Sequence, residues 1–150
     1  MKKLFILTLM AFTAMLCNAQ DALFRKYDNT KGVTTVYVSK AMFSMMPKIK
    51  AGDINISKLA GKMDKLQVLS CDRSSLASSI LNEATAYYDR EGFEQVMKVN
   101  DGGENTTIYM KARQQGRNEF ALLVSESGEL EIINILGKIT LKDIRNLTGR

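Results

Sequence analysis

Phe120-Ala121-Leu122-Leu123-Val124-Ser125-Glu126-Ser127-Gly128-Glu129-Leu130-Glu131-Ile132-Ile133-Asn134-Ile135-Leu136 is the stretch whose reading decides the fold. Apolar and β-branched residues on either side of Ser127-Gly128 predict two strands, over 120–125 and 130–136, joined by a tight hairpin. The first strand is apolar at every position from 120 to 124, and the second nearly so. A strand with one face in water alternates; these do not, so both faces need cover. Segment 40–64, with Met42, Phe43, Met45, Met46, Ile54 and Ile56, can supply it from within the chain. Otherwise a protein partner or a second copy of the chain supplies it, through an apolar sheet face. Methionine-rich segments adapt to varied partners, which suits the second source.

Outward from the hairpin, the pattern continues in both directions. Thr106, Ile108 and Met110 alternate with Thr107, Tyr109 and Lys111, which predicts a strand over 106–112. Asn100-Asp101-Gly102-Gly103 turns into it from a strand over 93–99, and Gln114-Gln115-Gly116 turns out of it. Leu76, Ala77, Ile80, Leu81, Ala84, Tyr87 and Tyr88 recur at the spacing of one helix face. Glu91-Gly92 stops that helix, and Asp72-Arg73-Ser74 offers capping oxygens at its start. Further strands are predicted over 66–71 and over 33–38, where Val33-Thr34-Thr35-Val36-Tyr37-Val38 is dense in β-branched residues.

The connecting segments read less sharply. Ser39 can cap a short helix over 41–46 that Pro47 ends, Gly52-Asp53 marks a break, and a turn after Ser57 carries Leu59 and Met63. Residues 20–31 form a polar lead-in with a helical turn at 22–24. Beyond Gly137, Thr140-Leu141-Lys142-Asp143 resembles a capping box that opens a last helix with Leu141, Ile144 and Leu147 on one side. Four consecutive strands imply a meander, while the first two strands, joined through a helix, can lie parallel. The expected class is α+β: a mixed, mostly antiparallel sheet of about six strands with helices packed on one face.

The first nineteen residues have the layout of a secretory signal. Lys2 and Lys3 lead an apolar run from Leu4 to Leu16, and Cys17-Asn18-Ala19 offers a cleavage site before polar sequence begins. The run is shorter than the ~20 residues that span a bilayer. The expectation is a signal over 1–19, a single domain over 20–150, and an exported protein, periplasmic or secreted. Cys17 raises lipidation as an alternative, although Ala14-Met15-Leu16 reverses the sizes that lipid attachment favours. Membrane contact is expected only through the signal or a lipidated Cys17.

Composition excludes more chemistry than it suggests. The chain of 150 residues has no histidine and two cysteines, which removes Ser-His and Cys-His catalysis and histidine-ligated metals. Cys71 alone remains after cleavage, so it makes no internal disulfide and reads as a buried small hydrophobe beside Arg73. No S-x-x-K dyad or phosphate-binding glycine motif occurs. The net charge of +5 is spread, with no basic run, so no nucleic acid is expected. Asn100 to Asn105 carries oxygens without calcium-loop spacing and reads as a hairpin. Glu126, Glu129 and Glu131 around one hairpin, and Asp89-Arg90-Glu91 at a helix end, read as solubilising charges. Asn55-Ile56-Ser57, Asn105-Thr106-Thr107 and Asn146-Leu147-Thr148 match a glycosylation sequon by chance.

Asn18-Ala19-Gln20, the strands Val33 to Ser39 and Leu66 to Ser70, Ile108-Tyr109-Met110-Lys111 and Phe120 to Val124 together resemble an exported Bacteroidetes family. Its label is domain of unknown function 4252. The resemblance covers most of the chain after the signal and brings no catalytic or binding residues with it. It implies a role in envelope sensing or regulation, since members are often encoded beside extracytoplasmic-function sigma factors. No catalytic, cofactor or metal residues are assigned. The functional expectation is a non-enzymatic binding or regulatory module acting through protein contact; the alternatives are an enzyme using carboxylate, Lys or Tyr chemistry and a lipidated surface protein.

Overall fold

The structure, a computed structural model, describes residues 19–46, 48, 50–51 and 54–148. The proposed signal, Cys17, Pro47 and the Gly52-Asp53 break lie outside the described residues. The elements run α1 (Ala19–Lys26), β1 (Val33–Ser39), α2 (Lys40–Phe43), β2 (Lys50–Ala51), β3 (Ile54–Asn55), a 3-10 turn (Ser57–Lys62), β4 (Met63–Cys71), α3 (Ser74–Arg90), β5 (Glu94–Asp101), β6 (Glu104–Ala112), β7 (Asn118–Glu126), β8 (Glu129–Gly137) and α4 (Leu141–Thr148). Six strands form one sheet in the order β1-β4-β8-β7-β6-β5, and β2 and β3 form a small separate hairpin. The α+β class and the six-stranded sheet are those expected. No helix among the described residues is long and apolar enough to cross a membrane.

Two expectations about the architecture are corrected. The first two sheet strands are antiparallel, with Val33 opposite Cys71 and Ser39 opposite Lys65, and so is every other pair in the sheet. A parallel pair needs a crossover that carries the chain back along the sheet. Here segment 40–62 leaves β1 at Ser39 and re-enters at Met63 on the same end, so β4 runs the opposite way. The helices, moreover, occupy both faces. Odd-numbered residues of β4 and β7, such as Leu69, Ala121 and Leu123, pack beneath α1 and α3 with Ile80, Ala84 and Tyr88. Even-numbered residues, such as Leu66, Phe120 and Leu122, pack beneath α2, the 3-10 turn and α4 with Phe43, Ile56, Leu59 and Ile144.

This second layer explains the two-faced apolar strands. Phe120, Ile133 and Ile135 are fully or almost fully buried, and their cover comes from this chain, largely from segment 40–64. The close fit is visible at Gly137, where a Cβ would lie 2.2 Å from the Lys62 carbonyl oxygen. Cys71 is a free, buried thiol, with Sγ 3.6 Å from the Arg73 carbonyl oxygen.

Local signals hold at some termini and fail at others. The capping box forms: Asp143 N–H donates to Thr140 Oγ1 at 3.2 Å, and Thr140 N–H donates to Asp143 Oδ2 at 2.9 Å. Neither Ser39 nor Arg73, the residues preceding α2 and α3, makes a side-chain cap. Arg73 is spent elsewhere: its Nη1 donates to the Lys31 carbonyl at 3.1 Å.

The backbone N–H of Thr140, with Lys62 Nζ at 2.9 Å, holds the Asp143 carboxyl below the usual carboxylate range. A depressed folded value means that the contribution is present above the unfolded pKa and lost as pH falls through the folded one. Asp143→Ala is therefore expected to cost about 1 kcal/mol at neutral pH. Urea unfolding of both chains should show that deficit vanish in strong acid; a deficit unchanged there would contradict the assignment.

Candidate functional site

The two sheet faces are covered unequally, and the difference makes a groove. On the first face α3 has 17 residues, about 25 Å of helix, close to the ~30 Å of a nine-residue strand. On the second face α4 has eight residues, about 12 Å. Cover there reaches only the half of the sheet near Phe43, Phe120 and Ile135. The half nearer the β7–β8 hairpin stays open as a groove of about 1000 Å³.

Its floor is the sheet itself. Leu122 and Val124 of β7 lie between Thr106 of β6 and Glu131 of β8, with Ser70 of β4 and Thr34 of β1 beyond. Asn55 and Lys58 border it on one side, and Asn146 and Leu147 of α4 on another. The floor is thus apolar at its centre with hydroxyls to each side. Thr106, nearly buried, donates to Glu104 Oε1 at 3.4 Å.

The charge of the groove runs against that of the chain. Among the described residues, Asp72, Glu104, Glu126, Glu129 and Glu131 line it against the single base Lys58, although the whole chain carries +5. Glu126 and Glu129 stand directly opposite each other where β7 turns into β8. Like charges in register across a strand pair are destabilising. A cation settled between them would remove the repulsion. Sequence reading assigned Glu126, Glu129 and Glu131 to a solvated hairpin. The first two are exposed, yet all three belong to one concavity. Among the described residues no cluster of His, Cys, Asp and Glu is able to hold a metal ion.

A second polar group lies inside the first face. Glu119 is 3% exposed and takes a two-point ion pair from Arg113, with Nε at 2.7 Å and Nη2 at 2.6 Å. Asn134, fully buried, donates to Gln67 Oε1 at 3.2 Å and to Glu119 Oε1 at 3.4 Å. Burial, with the carboxylates of Glu91 and Glu119 nearby, pushes the Tyr87 hydroxyl up to about 12. Sequence reading missed this group. Its only signal was a polar residue within an otherwise apolar strand, at Asn134. Nothing here opens to solvent except part of Arg113, so the group joins the strands rather than meeting a ligand.

A third cluster ties α1 to α3. Tyr27 donates its hydroxyl to Glu83 Oε2, and Lys26 Nζ lies 2.9 Å from Glu83 Oε1. Burial, then the Glu83 hydrogen bond, pushes Tyr27 up to about 12. For Glu83, burial pushes up, but the hydrogen bonds from Lys26 and Tyr27 outweigh it and hold the carboxyl below its usual range. Asp89, Arg90 and Glu91 stay at the end of α3, where Arg90 Nε sits 3.6 Å from Glu91 Oε1. Asn100 and Asp101 end β5, and Gly102-Gly103 makes a two-residue turn with positive φ at both glycines.

Comparison with known proteins adds a family. The family model described as "Domain of unknown function (DUF4252)" matches residues 27–147. No curated protein matches the sequence. The crystal structure of a Pseudomonas aeruginosa protein of unknown function is similar over 81% of this chain and 79% of its own, at 10% identity and a TM-score of 0.39.

Proposed function

The chain belongs to the family labelled domain of unknown function 4252, and from that premise we propose an exported, non-enzymatic binding module that holds a basic segment of another protein in its acidic groove. The observation that carries this reading is the groove of about 1000 Å³, with an apolar sheet floor and an acidic lining on a basic chain. An extended basic segment with alternating apolar residues fits such a surface: the apolar side chains meet Leu122 and Val124, and the cations meet the glutamates. The N-terminal pattern of Lys2-Lys3, apolar run and Cys17-Asn18-Ala19 supports export to the periplasm or beyond.

Glu126→Lys separates binding from folding. It turns the like-charged pair with Glu129 into an opposite pair, so stability is expected to rise by up to about 1 kcal/mol. Binding of a short peptide of alternating lysine and leucine is expected to weaken several-fold, more at low salt than at high. Calorimetric titration of the full chain, alongside urea unfolding, measures both effects. Peptide affinity unchanged by Glu126→Lys would end the proposal.

Carboxylates around one concavity also favour the reading as an enzyme of acid–base chemistry. An enzyme would keep its ligand and lose turnover on Glu→Gln replacement in the groove, whereas a binding module loses affinity.

A further inference from the structure

We propose that the free edge of β1 joins two copies of this chain, β1 against β1 in antiparallel register about Val36, into one continuous sheet. The two edges of the sheet differ. β5 carries Glu94, Lys98 and Asp101 and is broken by a register shift between Gln95 and Met97. Charges and irregular pairing are the ordinary protection of an exposed edge. β1 has neither: Val33-Thr34-Thr35-Val36-Tyr37-Val38-Ser39 is uncharged, lacks proline, and pairs with β4 at seven consecutive positions without a shift. Among the described residues no strand pairs with its other side. Val36 is 47% exposed and Tyr37 is 61% exposed, and Met42 and Met45 of the following segment are exposed as well.

The hydrogen-bond parity of β1 sets the register in which a second copy fits. Asp72 N–H donates to the Gly32 carbonyl at 3.3 Å, which makes residues 32 and 72 a hydrogen-bonded pair. Alternation then turns the backbone groups of Thr34, Val36 and Val38 toward β4 and those of Thr35, Tyr37 and Ser39 outward. A two-fold axis at Val36, the middle residue of the strand, sets Thr35 of one copy against Tyr37 of the other, and Ser39 against Val33. Every outward group then meets an outward group. The N–H of Val33 is already held by the Thr30 carbonyl at 3.0 Å, so Val33 offers only its carbonyl, which suits the N–H of Ser39. Val36 meets Val36 at the close, non-hydrogen-bonded spacing, and the flanking Lys31 and Lys40 do not face their own mates. Residues 33–39 carry no charge, so no like charges oppose each other within the paired strands, and the carboxylate beside them is Asp28, which accepts from Thr35 Oγ1 at 2.5 Å.

The register gives a cysteine test on the full chain, with the wild type under the same oxidant as control. Val36→Cys places two thiols across the axis, where antiparallel Cα atoms are about 4.5 Å apart, within disulfide reach. Tyr37→Cys places them on a diagonal too long to bridge. The expected result is a covalent dimer from Val36→Cys and none from Tyr37→Cys or the wild type. Light scattering should find a concentration-dependent dimer in the wild type. Val36→Lys, which sets two ammonium groups face to face, should leave a monomer with unchanged circular dichroism. A wild type that stays monomeric at every concentration overturns the second copy as occupant and leaves the edge to a strand of another protein. A dimer that survives Val36→Lys, or that crosslinks equally through position 37, overturns the register.

Discussion

Arg113→Ala is expected to lower folding stability by about 3 kcal/mol, the low end of the cost of leaving a buried charge without its partner. The Glu119 carboxylate has a side chain 4% exposed, and both of its contacts with Arg113 are short. Without the guanidinium, that carboxylate keeps only the Asn134 amide at 3.4 Å among its described hydrogen bonds. The low end applies because the Arg113 side chain is 38% exposed, so water already shares its charge. Arg113→Lys keeps the charge but not the fork, and falls between the two. The double replacement Arg113→Met with Glu119→Leu should recover much of the loss, because the charge and its desolvation leave together. Urea unfolding measures all three. A single variant within about 0.5 kcal/mol of the wild type would mean that the ion pair does not hold β7 in place.

Tyr88→Ala is expected to cost about 3 to 5 kcal/mol. Tyr88 is fully buried in an aromatic cluster: it stacks on Tyr109 at 5.3 Å and meets Tyr87 and Phe93 edge-on at 5.3 and 5.0 Å. Truncation leaves a void between the end of α3 and strands β5 and β6, and a well-packed interior closes such a void only in part. A domain of ordinary stability has about 5–15 kcal/mol in total, so this single change removes a large share. The loss should appear in thermal unfolding together with a weaker near-ultraviolet dichroism signal. A variant that melts with the wild type would show that the cluster repacks without it.

The parts of the fold that were legible in the sequence are those set by local pattern. The spacing from Leu76 to Tyr88 marked α3, the near-continuous apolar runs on either side of Ser127-Gly128 marked β7 and β8, and Thr140 to Asp143 marked the cap of α4. The orientation of β4 against β1 was not legible. It depends on segment 40–62 staying at one end of the sheet, and its four-residue helix, two-residue strands and 3-10 turn carry too little periodicity to reveal that. The groove was hidden for a related reason. It arises from the shortness of α4 against nine-residue strands, a mismatch of lengths that no residue type announces. Its glutamates read as ordinary hairpin charges because spacing along the chain says nothing of a concavity assembled from all six strands of the sheet, β3, the 3-10 turn and a helix.

The position of β4 carries a consequence for how the chain is made. β4 lies between β1 and β8, with Cys71 opposite both Val33 and Leu130. The central strand of the N-terminal half therefore has one neighbour, β8, that is synthesised only after α3, β5, β6 and β7. The meander β5 to β8 needs only local hairpins, but joining it to β4 waits for loop closure over a long separation. A nascent chain stopped short of residue 130 would expose the edge of β4 and the undersides of both layers, a species inclined to aggregate.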